Sequence, residues 1–358
     1  MKRQMKKLVF PIAAALVLAA GCGTQAATSN AATSDTADSV KVKPVHIAVV
    51  SLYDNDEWSA QFLSGLKAAA QNYPDVTLTE TQASYNQAEM VSQLQAVIAQ
   101  HPDVIIVNHA SQPSALAPAV QQAINQGIKV ISVEADIPVK GVAHANENNQ
   151  QLATLSLDAL AKGIHNKGNI AVIWVGGFTP MVQREVSLKA FEKAHPDIHV
   201  IATYGDASNT TISDTMARTE ALLRQYPNAG QLSAIWASWD QFAIGAVKAE
   251  QALQRNVPIY GIDVSNQDLA LMKQSNSPWK ATAANDVYQY GAAMVNYAVR
   301  DAYGQSIPSS IWIPGALIEQ SNLPPQGENI HDFFLSILPS ETSLGSSPLL
   351  QQLAKEKQ

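Results

Sequence analysis

Polar and aromatic side chains follow several short apolar segments of this 358-residue chain, and their chemistry suits a small-molecule site. Aspartate, asparagine and arginine offer paired acceptors and donors that match the adjacent hydroxyl groups of a sugar. The indole ring of tryptophan has an apolar face that suits the C–H face of a sugar ring. The candidate ligand-binding residues are Asn55, Glu57, Trp58, Asn108, Glu134, Asp136, Arg184, Trp239, Asp263 and Asn285.

Structural explanations stand beside this hypothesis. Asp56 directly precedes a helical pattern, where aspartate commonly caps the helix, and Trp58 could hold that helix against the sheet. Arg184 could form a surface ion pair. Catalysis is a further alternative, because Glu57 and Glu134 could flank a glycosidic bond as a carboxylate pair. The chain has no nucleophile elbow, zinc-protease or phosphate-loop motif, so a binding protein without catalytic, cofactor or metal sites is expected.

The elements that must position these residues alternate between two types from His46 onward. Short apolar, β-branched runs such as 46–51 and 104–107 indicate buried strands, and segments such as 58–73 carry apolar residues at helical spacing. Such alternation predicts an α/β fold with parallel sheets covered by helices on both faces. The pattern restarts near Ile170, which predicts two similar lobes. Because ligands of open α/β sheets bind at the carboxyl ends of strands, a cleft between the lobes is expected.

The N-terminus resembles an export signal. A basic stretch precedes an apolar run over 8–20, which is short for a membrane span of roughly 20 residues. The run ends in a segment that resembles a bacterial lipobox and contains Cys22, the only cysteine. We therefore predict a lipoprotein signal peptide over 1–21, diacylglyceryl and palmitate modification of Cys22, and a flexible tether over 22–43. The fold then has no disulfide.

Charge argues against nucleic acid as a partner. The formal net charge is -7, although the first seven residues contribute four basic groups and no acid. The remaining body is therefore more acidic still, and an acidic surface repels phosphate backbones. A transcriptional regulator of similar body plan would carry a helix-turn-helix where this chain has its export signal.

Several strings resemble the type 1 periplasmic binding proteins, in particular their ribose-binding and related sugar-binding branch. They include 130–134, 240–246, 260–263 and 281–285, and the resemblance extends from about His46 to Leu317. The family implies two Rossmann-like lobes joined by a hinge of three crossovers. The implied domains are an N-terminal lobe over 44–147 plus 285–312, a C-terminal lobe over 148–284 plus 313–322, and an extension over 323–358.

The resemblance also implies roles at matching positions. Asn55 and Trp58 correspond to an asparagine and a stacking aromatic, Asn108, Asp263 and Asn285 correspond to polar sugar contacts, and Arg184 approximates a second-lobe arginine. Glu134 stands where an aspartate is usual, and Trp239 where an asparagine often occurs. An arginine of the family is replaced by Ala135, and a second stacking aromatic by Glu57. These changes favour a different sugar from ribose, a polyol or a ligand with a basic group.

The expected function is that of an extracytoplasmic solute-binding protein of an ABC importer. Its expected partners are a small sugar-like ligand, a monosaccharide or polyol, and a transporter permease. It is expected to act as a monomer and to be held at the cell membrane through the lipid on Cys22. The alternative is a sensory binding protein that presents a signalling furanose or other small ligand to a receptor or kinase.

Overall fold

The structure is a computed structural model that describes residues 41–325, 327–339 and 343–357. The predicted signal peptide, Cys22 and the tether up to residue 40 lie outside the described residues. Two six-stranded sheets form the framework, and their strands are numbered β1 to β12 in chain order.

The first sheet has the strand order β11-β5-β4-β3-β1-β2, and all its strand pairs are parallel. Its strands are short and almost wholly buried, except at the β2 and β11 edges. Ser51 at the end of β1 lies in register with Asn108 at the end of β3, so the carboxyl ends of these strands meet at one edge. The strands are β1 (Val45–Ser51), β2 (Val76–Gln82), β3 (Val104–Asn108), β4 (Lys129–Val133), β5 (Ala143–Glu147) and β11 (Ser310–Ile313).

The second sheet repeats this plan with the order β12-β10-β9-β8-β6-β7. Only β12 runs antiparallel to its neighbour among the described strands. The strands are β6 (Gly168–Ile173), β7 (Ile198–Tyr204), β8 (Ala234–Ala237), β9 (Ile259–Ile262), β10 (Trp279–Ala284) and β12 (Ala316–Glu319).

Helices cover both faces of each sheet, and a hydrophobic core lies on each face. This arrangement confirms the predicted α/β fold class with two lobes. The helices are α1 (Glu57–Ala70), α2 (Gln87–Ile98), α3 (Pro113–Asn125), α4 (Asn149–Gly163), α5 (Thr179–Ala194), α6 (Thr211–Gln225), α7 (Asp240–Ala252), α8 (Asn266–Met272), α9 (Val287–Ala302), α10 (Ile330–Ile337) and α11 (Pro348–Glu356).

The chain passes between the two sheets three times. It leaves the first sheet after β5, returns after β10 to form α9 and β11, and then enters β12 of the second sheet. Helix α9 packs beside α1 on the first sheet, where two glycines allow the backbones to approach closely. A Cβ on Gly65 would lie 1.9 Å from the Tyr288 carbonyl oxygen, and one on Gly291 would lie 2.1 Å from that of Phe62. We retain the predicted domain boundaries as a proposal.

The C-terminal extension contacts the cores of both lobes. Helix α10 buries Phe333 and Phe334 in the core that also contains residues of β8, α7 and β9. Helix α11 buries Leu350 and Leu353 beside α1 and α9. Between them, Asn296 of α9 donates to the Leu344 carbonyl at 3.2 Å. The extension therefore links the two lobes on its own path, separate from the three crossovers.

Candidate functional site

A cavity lies between the lobes, at the carboxyl ends of strands from both sheets. Its lining residues are Tyr53, Trp58, Tyr85, His109, Glu134, Glu147, Val175, Phe178, Pro180, Met181, Arg184, Ala207, Trp239 and Asp263.

Arg184 is the centre of the polar part of the site. It lies on α5, is 2% exposed, and donates to two carboxylates. Its Nη1 and Nη2 atoms bind Asp263 Oδ2 at 2.9 Å and Oδ1 at 3.0 Å, and Nη2 also binds Glu147 Oε2 at 2.9 Å. The remaining donors bind Asn149 Oδ1 at 2.7 Å and the Ser238 carbonyl at 2.6 Å. All five N–H donors of the guanidinium are therefore used within the protein.

This pairing decides the charge of Arg184. Burial alone would lower the pKa of the guanidinium, but the nearby carboxylates of Asp263 and Glu147 raise it. Glu147 belongs to β5 of the first sheet, whereas Asp263 follows β9 of the second. The ion pairs thus join the two lobes, and removing one partner would leave an uncompensated buried charge.

Burial raises the pKa of two further acidic groups of the cavity wall, Glu147 and Glu134. Burial, reinforced by Asp263, raises the pKa of Glu147 to about 7, although Arg184 opposes the shift. Burial and the neighbouring Glu147 raise the pKa of Glu134 well above its usual value. Glu134 accepts from the Glu147 backbone N–H and from Asn149 Nδ2, the latter at 2.9 Å.

Aromatic rings form the other part of the wall. Tyr53 stacks on Tyr85 with centroids 4.5 Å apart, and it also contacts Trp239 of the second lobe at 6.4 Å. His109 lies between Tyr53 and Trp58, at centroid distances of 5.0 and 4.8 Å. Burial, with a smaller effect of Arg184, lowers the pKa of His109 to about 3, so its ring is neutral. Trp58 connects the two parts, because its Nε1 donates to Glu147 Oε1 at 2.9 Å.

Four cavity residues adopt left-handed backbone conformations that side chains other than glycine rarely occupy. The φ angles are +64° at Tyr85, +58° at His109, +50° at Glu134 and +70° at Asp263. The last three directly follow the ends of β3, β4 and β9. Such conformations cost on the order of 1–3 kcal/mol each and cluster at functional sites. The strand ends here are therefore shaped to aim side chains into the cavity.

The structure brings five of the ten predicted ligand residues to the cavity wall: Trp58, Glu134, Arg184, Trp239 and Asp263. Asn108 and Asn285 are buried at the same strand ends without lining the cavity. Asn108 donates to Ser51 Oγ at 3.2 Å. Asn285 lies close enough to Glu147 to lower the pKa of that carboxyl. Their ligand roles stay predictions.

The other three predicted residues are exposed. Glu57 is the first residue of α1, behind the Asp56 cap that accepts from the Ser59 backbone N–H. Asn55 and Asp136 lie where the lobes meet outside the cavity. Asn55 donates to Asn209 Oδ1 of the second lobe at 3.0 Å. The Asp136 carboxylate accepts from Gln183 of α5 at 3.3 Å. The structure thus gives Asn55 and Asp136 contacts that hold the lobes together, and their ligand roles remain untested.

Sequence reasoning missed several wall residues. Glu147 is the last residue of β5 and directly precedes Asn148, the N-cap of α4. Its position in the sequence indicates only a domain boundary. His109 follows Asn108 directly, so the strand-end rule applied to Asn108 could have included it. Tyr53 and Tyr85 belong to the segments after β1 and β2, and only the sheet order shows that these segments are neighbours.

The chain matches the protein family described as "Periplasmic binding protein domain" over residues 47–306 and belongs to it. This family membership confirms the predicted class and the expectation of a binding protein rather than an enzyme. It also places the protein outside the cytoplasm. No helix in the described ranges is long and apolar enough to cross a membrane.

Solved structures of sugar transporters resemble the protein along most of its length. The 5-methylthioribose transporter solute-binding protein of Thermotoga lettingae TMO is 28% identical, with a TM-score of 0.82, over 87% of this chain and 97% of that one. A sugar ABC transporter protein of Yersinia enterocolitica is 29% identical, with a TM-score of 0.82, over 89% and 96%. A Bacillus halodurans C-125 solute-binding protein with bound myo-inositol is 25% identical, with a TM-score of 0.71, over 80% and 98%.

Proposed function

We propose that this protein binds a sugar or sugar-like polyol between its lobes and delivers it to the permease of an ABC importer. The observation that carries the proposal is the interlobe cavity in which Arg184 joins Glu147 of one lobe to Asp263 of the other. The similar proteins are described as components of sugar transporters, and some contain a bound sugar or polyol. These relatives favour import over the sensory alternative.

The geometry suggests how binding would occur. Arg184 has no free donor, so it orients Asp263 and Glu147, and their remaining lone pairs face the ligand as acceptors for hydroxyl groups. The rings of Trp58 and Trp239 offer apolar faces to the C–H groups of a sugar ring. Because these groups come from both lobes, a ligand bound to one lobe completes its contacts only on closure. Its greater affinity for the closed form then drives closure.

A thermal-shift screen tests this function. The purified protein would be heated with pentoses, hexoses, furanoses, polyols and amino sugars, since a ligand that binds only the folded state raises the melting temperature. At least one neutral sugar or polyol is expected to raise the melting temperature in a dose-dependent way. A panel without any stabilising sugar or polyol contradicts the proposal.

The proposal includes a lipid anchor on Cys22, followed by a tether that leaves the lobes free to meet the permease. In cells, the Cys22→Ala variant is expected to lose lipid and to leave the membrane fraction, because no other anchor is proposed. The measurement is immunoblotting of membrane and soluble fractions, with metabolic labelling by a palmitate analogue. If the Cys22→Ala protein is still labelled and membrane-bound, the proposed lipid anchor is wrong, and the proposal of sugar binding still stands.

A further inference from the structure

Most of the cavity wall belongs to two groups of side chains, which Trp58 and His109 connect. One group is polar and comprises Arg184 with the carboxyl groups of Glu134, Glu147 and Asp263, linked by hydrogen bonds. The other is apolar and contains the stacked rings of Tyr53 and Tyr85 and the side chains of Trp239, Phe178, Val175 and Met181. A ligand that fills the cavity must satisfy both groups.

The polar group offers oxygen acceptors to hydroxyl groups. Every donor of Arg184 is already used, so the free hydrogen-bonding capacity lies on the carboxyl oxygens of Glu147 and Asp263. Neighbouring hydroxyl groups of a sugar ring are donors that match acceptors arranged in this way.

The apolar group cannot serve the hydroxyls of a simple sugar equally well. Phe178 packs against the cores of both lobes, and Val175 and Met181 extend the same apolar surface. The hydrogen-bonding side-chain groups here are the phenol hydroxyls of Tyr53 and Tyr85 and the indole N–H of Trp239, whereas Phe178 and Val175 offer none. A ligand hydroxyl held against Phe178, Val175 and Met181 would lose its water without gaining a partner, which is unfavourable. An alkyl or thioether substituent would gain from burial in the same place.

We infer that, if the proposed function holds, the ligand is a sugar with hydroxyl groups on one side and an alkyl or alkylthio substituent on the other. The hydroxyls bind at Glu147 and Asp263, and the substituent packs against Phe178, Tyr85 and Trp239. A furanose whose exocyclic hydroxyl is replaced by a methylthio group has this distribution. Phe178 then determines specificity, because it covers the substituent from the second lobe.

A matched ligand pair tests the inference by isothermal titration calorimetry on the purified full-length protein. 5-Methylthioribose and ribose differ by a methylthio group in place of one hydroxyl, so their affinity ratio isolates the apolar group. The methylthio sugar is expected to bind at least tenfold more tightly. Equal or tighter binding of ribose overturns the inference. If neither binds but another sugar of the thermal-shift panel does, the inference is wrong and the proposed function stands. If no sugar or polyol binds, the proposed function itself fails.

Substitution of Phe178 tests whether this residue sets the preference for the methylthio sugar over ribose. Phe178→Ser places a hydroxyl in the apolar wall and is expected to lower the affinity ratio of the two ligands at least fivefold. Val186→Ala is the control. Val186 lies on α5, the helix that begins directly after Phe178, and its side chain is 51% exposed and does not line the cavity. It should leave the ratio unchanged. A Phe178→Ser protein that melts normally and keeps the wild-type ratio removes Phe178 from the specificity site.

Discussion

At the scale of single residues, the site depends on buried charges whose protonation is set by their neighbours. Arg184 is balanced by Asp263 and Glu147, and burial and the neighbouring Glu147 raise the pKa of Glu134. A second titratable pair lies outside the cavity. His331 of the C-terminal extension binds Asp286, the N-cap of α9, with Nδ1 and Oδ2 2.6 Å apart.

The His331–Asp286 pair makes stability depend on pH. The hydrogen bond to Asp286 raises the pKa of His331 despite partial burial, and Asp332 adds to the increase, while the Tyr288 ring packs against the imidazole. A raised folded-state pKa contributes stability below the unfolded value of about 6.5, and this contribution is lost as pH rises through the folded value. The melting temperature of wild type minus that of His331→Gln should therefore be largest near pH 5.5 and shrink above neutrality. A difference that is constant from pH 5 to 9 would show that the ion pair contributes nothing.

At the scale of elements, closure of the lobes depends on how closely two loops approach. The loop after β6 contains Gly177, which has a φ of +96°, and a Cβ there would lie 3.2 Å from the Ser111 carbonyl oxygen of the first lobe. Nearby, the Asp136 backbone N–H donates to Thr179 Oγ1 at 3.0 Å. These contacts exist only when the lobes are together.

Gly177→Ala is therefore expected to weaken ligand binding about tenfold, because the methyl group crowds Ser111 in the closed form. Gly230→Ala is the matched control: Gly230 has a φ of +83°, and a Cβ there meets nothing within 4 Å. Both variants carry the backbone strain of alanine at positive φ, so both should melt at similarly reduced temperatures. Calorimetric titration with the stabilising sugar separates them. Equal affinity in the two variants would show that this contact does not limit closure.

The elements themselves could be predicted from sequence because their signals are local. The predicted helix over 58–73 corresponds to α1, and the apolar run at 104–107 falls within β3. The cap at Asp56 follows from its residue type and position. The aromatic group could not be found in this way, because Tyr53 and Tyr85 are 32 residues apart and meet only through the pairing of β1 with β2. Glu57, which stands where the family resemblance implies a second stacking aromatic, occupies an exposed helical position outside the cavity wall.

At the scale of the whole molecule, two lobes, three crossovers and an interlobe ion-pair network together form one binding site. Sequence resemblance predicted the lobes and five of the wall residues. It could not predict that Glu147 completes the network, since that depends on where β5 ends relative to α5 of the other lobe. The C-terminal extension adds a further connection between the lobes through α10 and α11.

The most direct test of the central claim is calorimetric titration of the wild type and of Asp263→Asn with the stabilising sugar. Asparagine tolerates the φ of +70° at this position, so the backbone is preserved while the charge partner of Arg184 is lost. Loss of one partner in a buried charge pair costs roughly 2–5 kcal/mol. We expect affinity to fall by at least about 30-fold, which corresponds to roughly 2 kcal/mol, and the melting temperature of the unliganded variant to fall as well, because the buried Arg184 loses part of its charge balance. Unchanged affinity in a folded Asp263→Asn protein would contradict a binding site between the lobes.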